Sequence, residues 1–197
     1  MRKINNSEVK RVCKEFTEIF KNYQTYAMFF PRKDRNKGVY YFFRFEVSAA
    51  RNYTYVGGDY DVIACVKKPG DKDHNPALQF ANPFFAVAFY AATGNFAISL
   101  ASEYMSFADK IAKKYYNPST DCYIKNIGVA ERARGKGLLR KAIDELCGDS
   151  AVYLETHDER NVEIYRHLGF EICEVADFHG AKHFAMRRPA KAENSVK

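Results

Sequence analysis

The distribution of apolar and charged positions predicts a chain that mixes helices with strands. Residues 7–23 place apolar side chains three and four positions apart, with charged residues between them: Val12, Cys13, Phe16, Ile19 and Phe20. This spacing predicts an amphipathic first helix, with Ser7 as its N-cap. The aromatic run at residues 39–49 has no period that separates helix from strand, and we expect a helix there.

Two short β-branched runs then flank a tight turn. Tyr53–Val56 and Val62–Val66 lie on either side of Gly57-Gly58-Asp59, which predicts a pair of antiparallel strands. The composition of Lys67–Pro76 predicts a loop. Residues 95–115 again show helical spacing, so a further helix is expected before Pro118.

The second half of the chain alternates strands with helices. The predicted elements are a strand at Cys122–Val129, a helix at Leu138–Cys147, a strand at Val152–Thr156, a helix at Asn161–Leu168, and closing strands at Phe170–Val175 and His183–Met186. This order indicates α/β architecture, in the broad sense that includes α+β, with part of the sheet parallel. We expect one domain over residues 1–189 and a polar tail over 190–197.

Composition excludes several classes of protein. There is no apolar run long enough to cross a membrane and no apolar N-terminal stretch typical of a secretory signal, so a cytoplasmic protein is expected. The five cysteines are scattered and never spaced as C-x-x-C, which argues against disulfides and a metal site. The net charge is +7, but the chain has no RNA-binding motif, zinc finger or recognition helix, so no nucleic-acid partner is expected.

The basic charge is concentrated around two glycines at a predicted helix N-terminus. Gly135 and Gly137 lie between the strand that ends at Val129 and the helix that begins near Leu138. A helix N-terminus leaves backbone N–H groups without partners, and glycines allow an anion to approach them closely. The segment lacks the Ser or Thr of a P-loop and the third glycine of a dinucleotide-binding turn. It therefore predicts an anion site of another kind.

This segment resembles the coenzyme A-binding turn of the GNAT acyltransferases. Arg132-Ala133-Arg134-Gly135-Lys136-Gly137 matches the signature Q/R-x-x-G-x-G/A. Residues 153–172, YLETHDERNVEIYRHLGFEI, resemble a second family segment that carries an Asn, a Tyr and a Gly-Phe pair. The region with the motifs spans residues 121–187. The first half is weakly similar to the subgroup around puromycin N-acetyltransferase. Leu139, where many members have Gly or Ala, and Glu163, where a small residue is common, depart from the pattern.

The resemblance implies a fold, a co-substrate and a set of site residues. The fold is a central, mixed, splayed β-sheet flanked by helices, and the co-substrate is acetyl-CoA, with no metal. Tyr165 is implied as the general acid that protonates the thiolate. The residues implied in coenzyme A binding are Ile127, Gly128, Val129, Arg132, Arg134, Gly135, Lys136, Gly137, Leu138, Leu139, Asn161 and Tyr165. Asn161 and Tyr165 share one helix face, while Ile164 and Leu168 are predicted to point to the core.

The general base and the acceptor are less closely defined by the sequence. Strand alternation brings Asp121, Glu155 and His157 to positions that could line the acceptor side, and a water chain is the remaining alternative. Glu155 is the first choice. The implied acceptor is a primary amine of a small molecule, and the protein is expected to be a monomer or homodimer. A non-catalytic coenzyme A-binding or sensor module on the same fold is the alternative function.

Overall fold

A computed structural model describes residues 1–30, 35–71 and 83–194, and within these residues seven strands form one sheet. The strands are β1 (Arg2–Lys3), β2 (Thr54–Gly57), β3 (Val62–Lys67), β4 (Cys122–Val129), β5 (Val152–Thr156), β6 (Glu171–Phe178) and β7 (Ala181–Arg188). The helices are α1 (Val9–Phe20), α2 (Gln24–Phe29), α3 (Arg35–Ala49), α4 (Pro83–Tyr115), α5 (Leu138–Cys147), α6 (Glu159–His167) and α7 (Lys191–Asn194).

The sheet is mixed, with the order β1-β2-β3-β4-β5-β7-β6. The central pair, β4 and β5, is parallel, and the other neighbouring strands run antiparallel. A parallel pair needs a crossover connection, and α5 supplies it between β4 and β5. The mixed α/β fold predicted from the sequence is therefore confirmed.

The two central strands separate along their length. Their pairing runs from Cys122↔Val152 to Ile124↔Leu154 and then stops, although both strands continue. On its other edge β4 carries a β-bulge: Cys65 faces Asn126 and Val66 faces Ile124, so Lys125 is an extra residue. A bulge bends its strand and increases the local twist. The bend in β4 and the end of its pairing with β5 coincide, and together they open a gap in the middle of the sheet.

Helices α1 and α3 pack together and close on β4. Phe16 of α1 and Phe43 of α3 are fully buried and stack with ring centroids 4.7 Å apart. Gly128 of β4 allows this close approach, because a Cβ at that position would lie 2.5 Å from Cγ2 of Ile19. The absence of a side chain at residue 128 therefore sets the distance between α1 and the central strand.

Most predicted elements are confirmed, with a few differences. The helix predicted at 95–115 begins already at Pro83, and the closing strands are longer than predicted and form a hairpin. In the predicted loop, Lys67 belongs to β3, Lys68–Asp71 form a turn, and residues 72–76 lie outside the described residues. Of the predicted tail, residues 195–197 also lie outside the described residues, while Lys191–Asn194 form the short helix α7.

Two local predictions were wrong. Ser7 does not cap the first helix: α1 begins after Glu8 without a side-chain cap, and the cap lies earlier, where the Asn5 side chain accepts from the Ser7 and Glu8 N–H groups and Glu8 binds back to the Asn5 N–H. This reciprocal capping box precedes a short 3₁₀ turn that leads into α1. Ile164 was expected in the core but is 47% exposed, because the buried face of α6 is centred on Val162 and Tyr165.

Candidate active site

A cleft of about 570 Å³ occupies the gap between the separated strands. Lys125, Asn126 and Ile127 of β4 line one side, and Glu155 and Thr156 of β5 line the other. The remaining walls come from α6, from α4, and from α1, α2 and α3 with the segment that joins α1 to α2. Aromatic side chains dominate these walls: Phe20, Tyr23, Tyr26, Phe29, Phe30, Phe42, Tyr104 and Tyr165.

The exposed edge of β4 offers backbone groups beside this cleft. The Ala130 N–H donates to the Asp61 carbonyl, towards β3. Since N–H groups alternate in direction along a strand, those of Val129 and Ile127 point to the opposite edge, where β5 has separated. The predicted cofactor residues Ile127 and Val129 thus have N–H groups directed away from β3. Gly128, which lies between these two residues and is also predicted to bind the cofactor, has its Cα next to α1.

The Gly135–Gly137 turn leads into α5 with its backbone exposed. Gly135 and Gly137 have φ of 76° and 68°, in the left-handed region that favours glycine, and a Cβ at either would meet nothing within 4 Å. Gly137 caps α5, and no side chain caps that end of the helix. The N–H groups of the first turn, including those of Leu138 and Leu139, are therefore available to an anion.

The three basic residues of the turn have different surroundings. Arg132 is held by acidic neighbours: its Nε lies 3.1 Å from Asp61 Oδ1, its Nη1 lies 3.4 Å from Glu15 Oε2, and its Nη2 donates to the Asp59 carbonyl at 2.7 Å. Arg134 is exposed and has Nε 3.5 Å from the Val129 carbonyl. Lys136 is also exposed. Arg134 and Lys136 place positive charge next to the turn. The Arg132 side chain instead connects the turn to the β2–β3 loop through its contacts with Asp59 and Asp61.

Helix α6 brings Asn161 and Tyr165 to the same wall of the cleft, as predicted. Asp158 caps this helix by accepting from the Arg160 N–H at 2.9 Å. Asn161 Nδ2 lies 3.4 Å from Thr156 Oγ1. Tyr165 is 9% exposed and packs against Phe170. Burial, and to a smaller extent Tyr23, raises the pKa of the Tyr165 phenol above its usual value, so that its proton is retained at neutral pH.

The three candidate bases lie in different environments. Asp121 is buried, accepts from the Thr120 hydroxyl and pairs with Arg187, and it does not line the cleft. Glu155 does line the cleft, with Oε2 accepting from Tyr123 Oη at 2.9 Å and Oε1 accepting from Tyr153 Oη at 2.8 Å. Two neutral donors thus hold the Glu155 carboxylate in one orientation.

His157, the third candidate, stands where two cavities meet. It lines the cleft and also a second cavity of about 570 Å³ bounded by Asp158, Arg160 and the β6–β7 turn. Its backbone N–H donates to Tyr23 Oη at 2.9 Å, and the same hydroxyl lies 2.9 Å from Thr156 Oγ1. Burial, reinforced by the neighbouring His183, lowers the pKa of His157 to about 3.

Sequence reasoning missed three residues of this region. His183 is fully buried beside His157, and Tyr23 and Tyr104 line the cleft. Tyr23 and Tyr104 come from the first half of the chain, where no motif marks them. For His183 a signal existed, because this histidine directly precedes the apolar run Phe184-Ala185-Met186 in a predicted strand.

Other kinds of site are not seen in the described part of the chain. Over residues 1–30, 35–71 and 83–194, no group of three or more His, Cys, Asp or Glu side chains is placed to hold a metal ion. The five cysteines are not joined in disulfides. Among the described helices, none combines the length and the apolar character that a membrane span requires.

Comparison with known proteins supports the fold. No protein-family model and no curated protein matches this chain. Solved structures do match. A Corynebacterium glutamicum structure described as histone acetyltransferase HPA2 and related acetyltransferase is 18% identical, with TM-score 0.60 over 96% of this chain and 94% of that one. A GNAT-family acetyltransferase of Streptococcus agalactiae is 14% identical, with TM-score 0.57 over 96% and 94%.

The third similar structure is the C-terminal condensation domain of Ebony in complex with β-alanyl-dopamine, 7% identical with TM-score 0.63 over 93% of this chain and 95% of that one. These likenesses span nearly the whole chain, although the sequence identities are low. The described residues therefore adopt the fold of the GNAT acetyltransferases, as the two sequence motifs predicted.

Proposed function

We propose that this protein is an N-acetyltransferase that transfers the acetyl group of acetyl-CoA to the primary amine of a small molecule. The observation that carries this proposal is the position of the Gly135–Gly137 turn. It follows directly after β4, the strand that borders the cleft, and it opens a helix whose N-terminus has no side-chain cap. A diphosphate bound there would direct its pantetheine arm along the free edge of β4.

The reaction consists of direct attack by the amine on the thioester. The nitrogen forms a bond to the acetyl carbon, the C–S bond breaks, and the thiolate leaves. The Val129 N–H stabilises the negative charge that develops on the acetyl oxygen. Tyr165 donates its proton to the departing thiolate, a role consistent with a phenol that stays protonated at neutral pH. Glu155 is the final acceptor of the amine proton.

The remaining predicted residues bind the co-substrate. In this proposal the N–H groups of Gly135, Gly137, Leu138 and Leu139 hold the diphosphate, and Arg134 and Lys136 contribute positive charge. Arg132 acts from behind the turn, since Asp61 and Glu15 already bind its guanidinium. Asn161 contacts the pantetheine arm from α6, and Ile127 and Gly128 form the strand edge beside it.

A small amine is the acceptor that the cleft fits best. Its walls are aromatic, and the second cavity meets it at Thr25 and His157, which line both. This gives an acceptor its own route beside the end of β5, and no residue of the Gly135–Gly137 turn lines that second cavity. The Ebony domain, which shares the fold, was captured with β-alanyl-dopamine, an amide of a small amine.

A thiol-release assay tests the proposal. The protein is mixed with acetyl-CoA and a panel of primary amines, and free coenzyme A is measured together with the acetylated product. We expect release that depends on the amine and matches the product one to one. Tight binding of acetyl-CoA without transfer to any amine would instead support the non-catalytic coenzyme A-binding module.

Several further predictions belong to this proposal. The similarity to the puromycin N-acetyltransferase subgroup, a cytoplasmic location, the boundaries of the domain at 1–189, the absence of a nucleic-acid partner and a monomeric or homodimeric state all stay predictions. Chromatography with light scattering measures the last of these directly.

A further inference from the structure

Three titratable side chains form a row beside the cleft, and its two ends, His157 and Glu155, both line the cleft wall. His157 Nε2 lies 3.2 Å from His183 Nδ1, and His183 Nε2 lies 3.7 Å from Glu155 Oε1. Glu155 lies in β5, His157 directly follows that strand, and His183 lies in β7, which pairs with β5 in an antiparallel direction. The row therefore rests on the sheet itself, which fixes its geometry.

The middle member of the row is enclosed. His183 is 0% exposed, and no described residue forms a hydrogen bond to its Nε2. The nearest anionic group is Glu155, and a shift of about 0.7 Å would bring the two atoms within hydrogen-bond distance. On the other side of the ring, Tyr104 Oη lies 3.5 Å from His183 Nδ1. The carboxylate favours a proton on Nε2, which leaves Nδ1 to accept one hydrogen bond, for which His157 Nε2 at 3.2 Å is the nearer donor.

We propose that His157, His183 and Glu155 form a proton relay that carries the amine proton from the His157 ring through the buried His183 to the Glu155 carboxylate. This inference rests on the proposed function for its chemistry, but the state of the row is defined without it. His157 is the residue that receives the proton, His183 is a positioning and relay residue, and Glu155 is the acceptor at the end.

The relay moves one proton in total, from the amine to the Glu155 carboxylate. In the resting state Glu155 is ionised, and both histidines are neutral with hydrogen on Nε2. The amine gives its proton to Nδ1 of His157 as the N–C bond forms. The Nε2 hydrogen of His157 passes to Nδ1 of His183, and the Nε2 hydrogen of His183 passes to Glu155. The row ends with a neutral carboxylic acid and two neutral imidazoles in their other tautomers.

A relay suits this site better than a single base. The pKa of His157, lowered to about 3 by burial and by His183, means that a stored positive charge on that ring is unfavourable. Passing the proton on avoids an imidazolium at either ring. Glu155 alone already accepts from Tyr123 and Tyr153, and these two hydroxyls hold the carboxylate in the position that the relay requires.

The ring tautomers test the row without any assay of activity. Nitrogen-15 NMR of the wild-type protein at pH 7, with signals assigned through single His→Gln variants, reports which nitrogen of each ring is protonated. We expect His183 to be neutral with hydrogen on Nε2 and His157 to be neutral with hydrogen on Nε2. An imidazolium at His183, or hydrogen on its Nδ1, would overturn the relay even if the protein proves to be an acetyltransferase.

Kinetics then test the function of the row. His183→Gln and His157→Gln should each slow single-turnover acetyl transfer by about 100-fold or more, with unchanged affinity for acetyl-CoA. Their rates should keep rising with pH where the wild-type rate is level, because unassisted loss of the amine proton becomes limiting. His167→Gln, on the exposed end of α6, is the matched control and should behave as wild type.

The outcomes separate the two proposals. A normal pH profile and rate in a well-folded His183→Gln variant would contradict the relay alone. Absence of transfer by the wild-type protein, with the expected tautomers present, would contradict the proposed function and leave the row as a structural feature. If His183→Gln fails to fold, the ring tautomers measured in the wild-type protein still show whether the relay is correct.

Discussion

At the scale of single residues, Tyr165 is the side chain on which the proposed acetyl transfer depends most. Its ring packs on Phe170 beneath the cleft, and burial keeps its phenol protonated at neutral pH. The phenol therefore carries the proton that a general acid must give to the departing thiolate.

Replacing Tyr165 with Phe removes only the hydroxyl. We expect Tyr165→Phe to slow acetyl transfer by about 100-fold, because the thiolate then leaves without a proton, while the affinity for coenzyme A changes less than about twofold. Steady-state kinetics and calorimetry measure the two quantities. Tyr41→Phe on α3, outside the cleft, is the control, and an unchanged rate in Tyr165→Phe would remove this residue from its proposed role.

The neutral state of His157 has a consequence for stability. In the unfolded chain its pKa returns to about 6.5, whereas in the folded protein it is about 3. Between these values the unfolded state binds the proton more readily, so the free energy of unfolding falls as the pH falls. The groups that face this ring are His183, Tyr23 and Tyr104.

We therefore expect His157→Gln to reduce the acid sensitivity of the protein. Between pH 6.5 and pH 3, the wild-type free energy of unfolding should fall more steeply than that of the variant, by up to about 1.4 kcal/mol for each pH unit. Urea titrations across this range measure the difference. Parallel curves for the two proteins would show that His157 is not held neutral.

At the scale of elements, Gly128 sets the contact between α1 and β4. A methyl group at this position would lie 2.5 Å from Cγ2 of Ile19, which is too close for packed atoms. We expect Gly128→Ala to lower the free energy of unfolding by about 1–3 kcal/mol. In an Ile19→Ala background the same change should cost less, since the clashing atom is gone. Equal costs in both backgrounds, measured by denaturant titration, would contradict this explanation.

The turn before α5 is the second element with a specific backbone requirement. Gly137→Ala places a side chain on a residue with φ of 68°, which costs about 1–2 kcal/mol, and crowds the diphosphate. We expect both lower stability and at least tenfold weaker binding of coenzyme A. Gly70→Ala, at φ of 76° with equally open surroundings, is the matched control. It should lose stability without losing affinity, and equal losses of affinity would exclude a special role for the turn.

Local signals explain why the sequence predicted this part of the fold well. The strand β4, the turn, helix α5 and strand β5 follow each other with short connections and clear periodicity, so each boundary was marked by neighbouring residues. The cap before the first helix was missed although Asn5 and Glu8 have the spacing of a capping box, because Ser7 lay nearer to the apolar run. Ile164 was placed in the core because its spacing to Leu168 was considered without the position of the sheet.

At the scale of the whole molecule, the site depends on contacts that no local pattern records. His183 is 26 residues from His157 in the sequence, and only the pairing of β5 with β7 brings the two rings together. Tyr23 and Tyr104 reach the cleft from α1–α2 and α4, far from both motifs. The motifs therefore indicated the part of the site that we propose binds the co-substrate, while the proposed acceptor side and proton route required the folded chain.

Three features of the fold act together if a diphosphate binds at the N-terminus of α5. The bend in β4 opens the sheet, the glycine turn presents N–H groups at the end of that strand, and α6 supplies the opposite wall with Tyr165. A diphosphate bound there would connect these features, because it would align the thioester with Val129, Tyr165 and the histidine row.

Isothermal titration calorimetry with coenzyme A and with pantetheine, which lacks the diphosphate and the adenosine 3′-phosphate attached to it, tests that contact in the wild-type protein and in Gly137→Ala, where the turn alone is changed. We predict that coenzyme A binds the wild-type protein at least about 100-fold more tightly than pantetheine, because helix N-terminus and basic charge both act on the diphosphate. Equal affinities for the two compounds, or no heat with coenzyme A in a folded sample, would contradict the central claim.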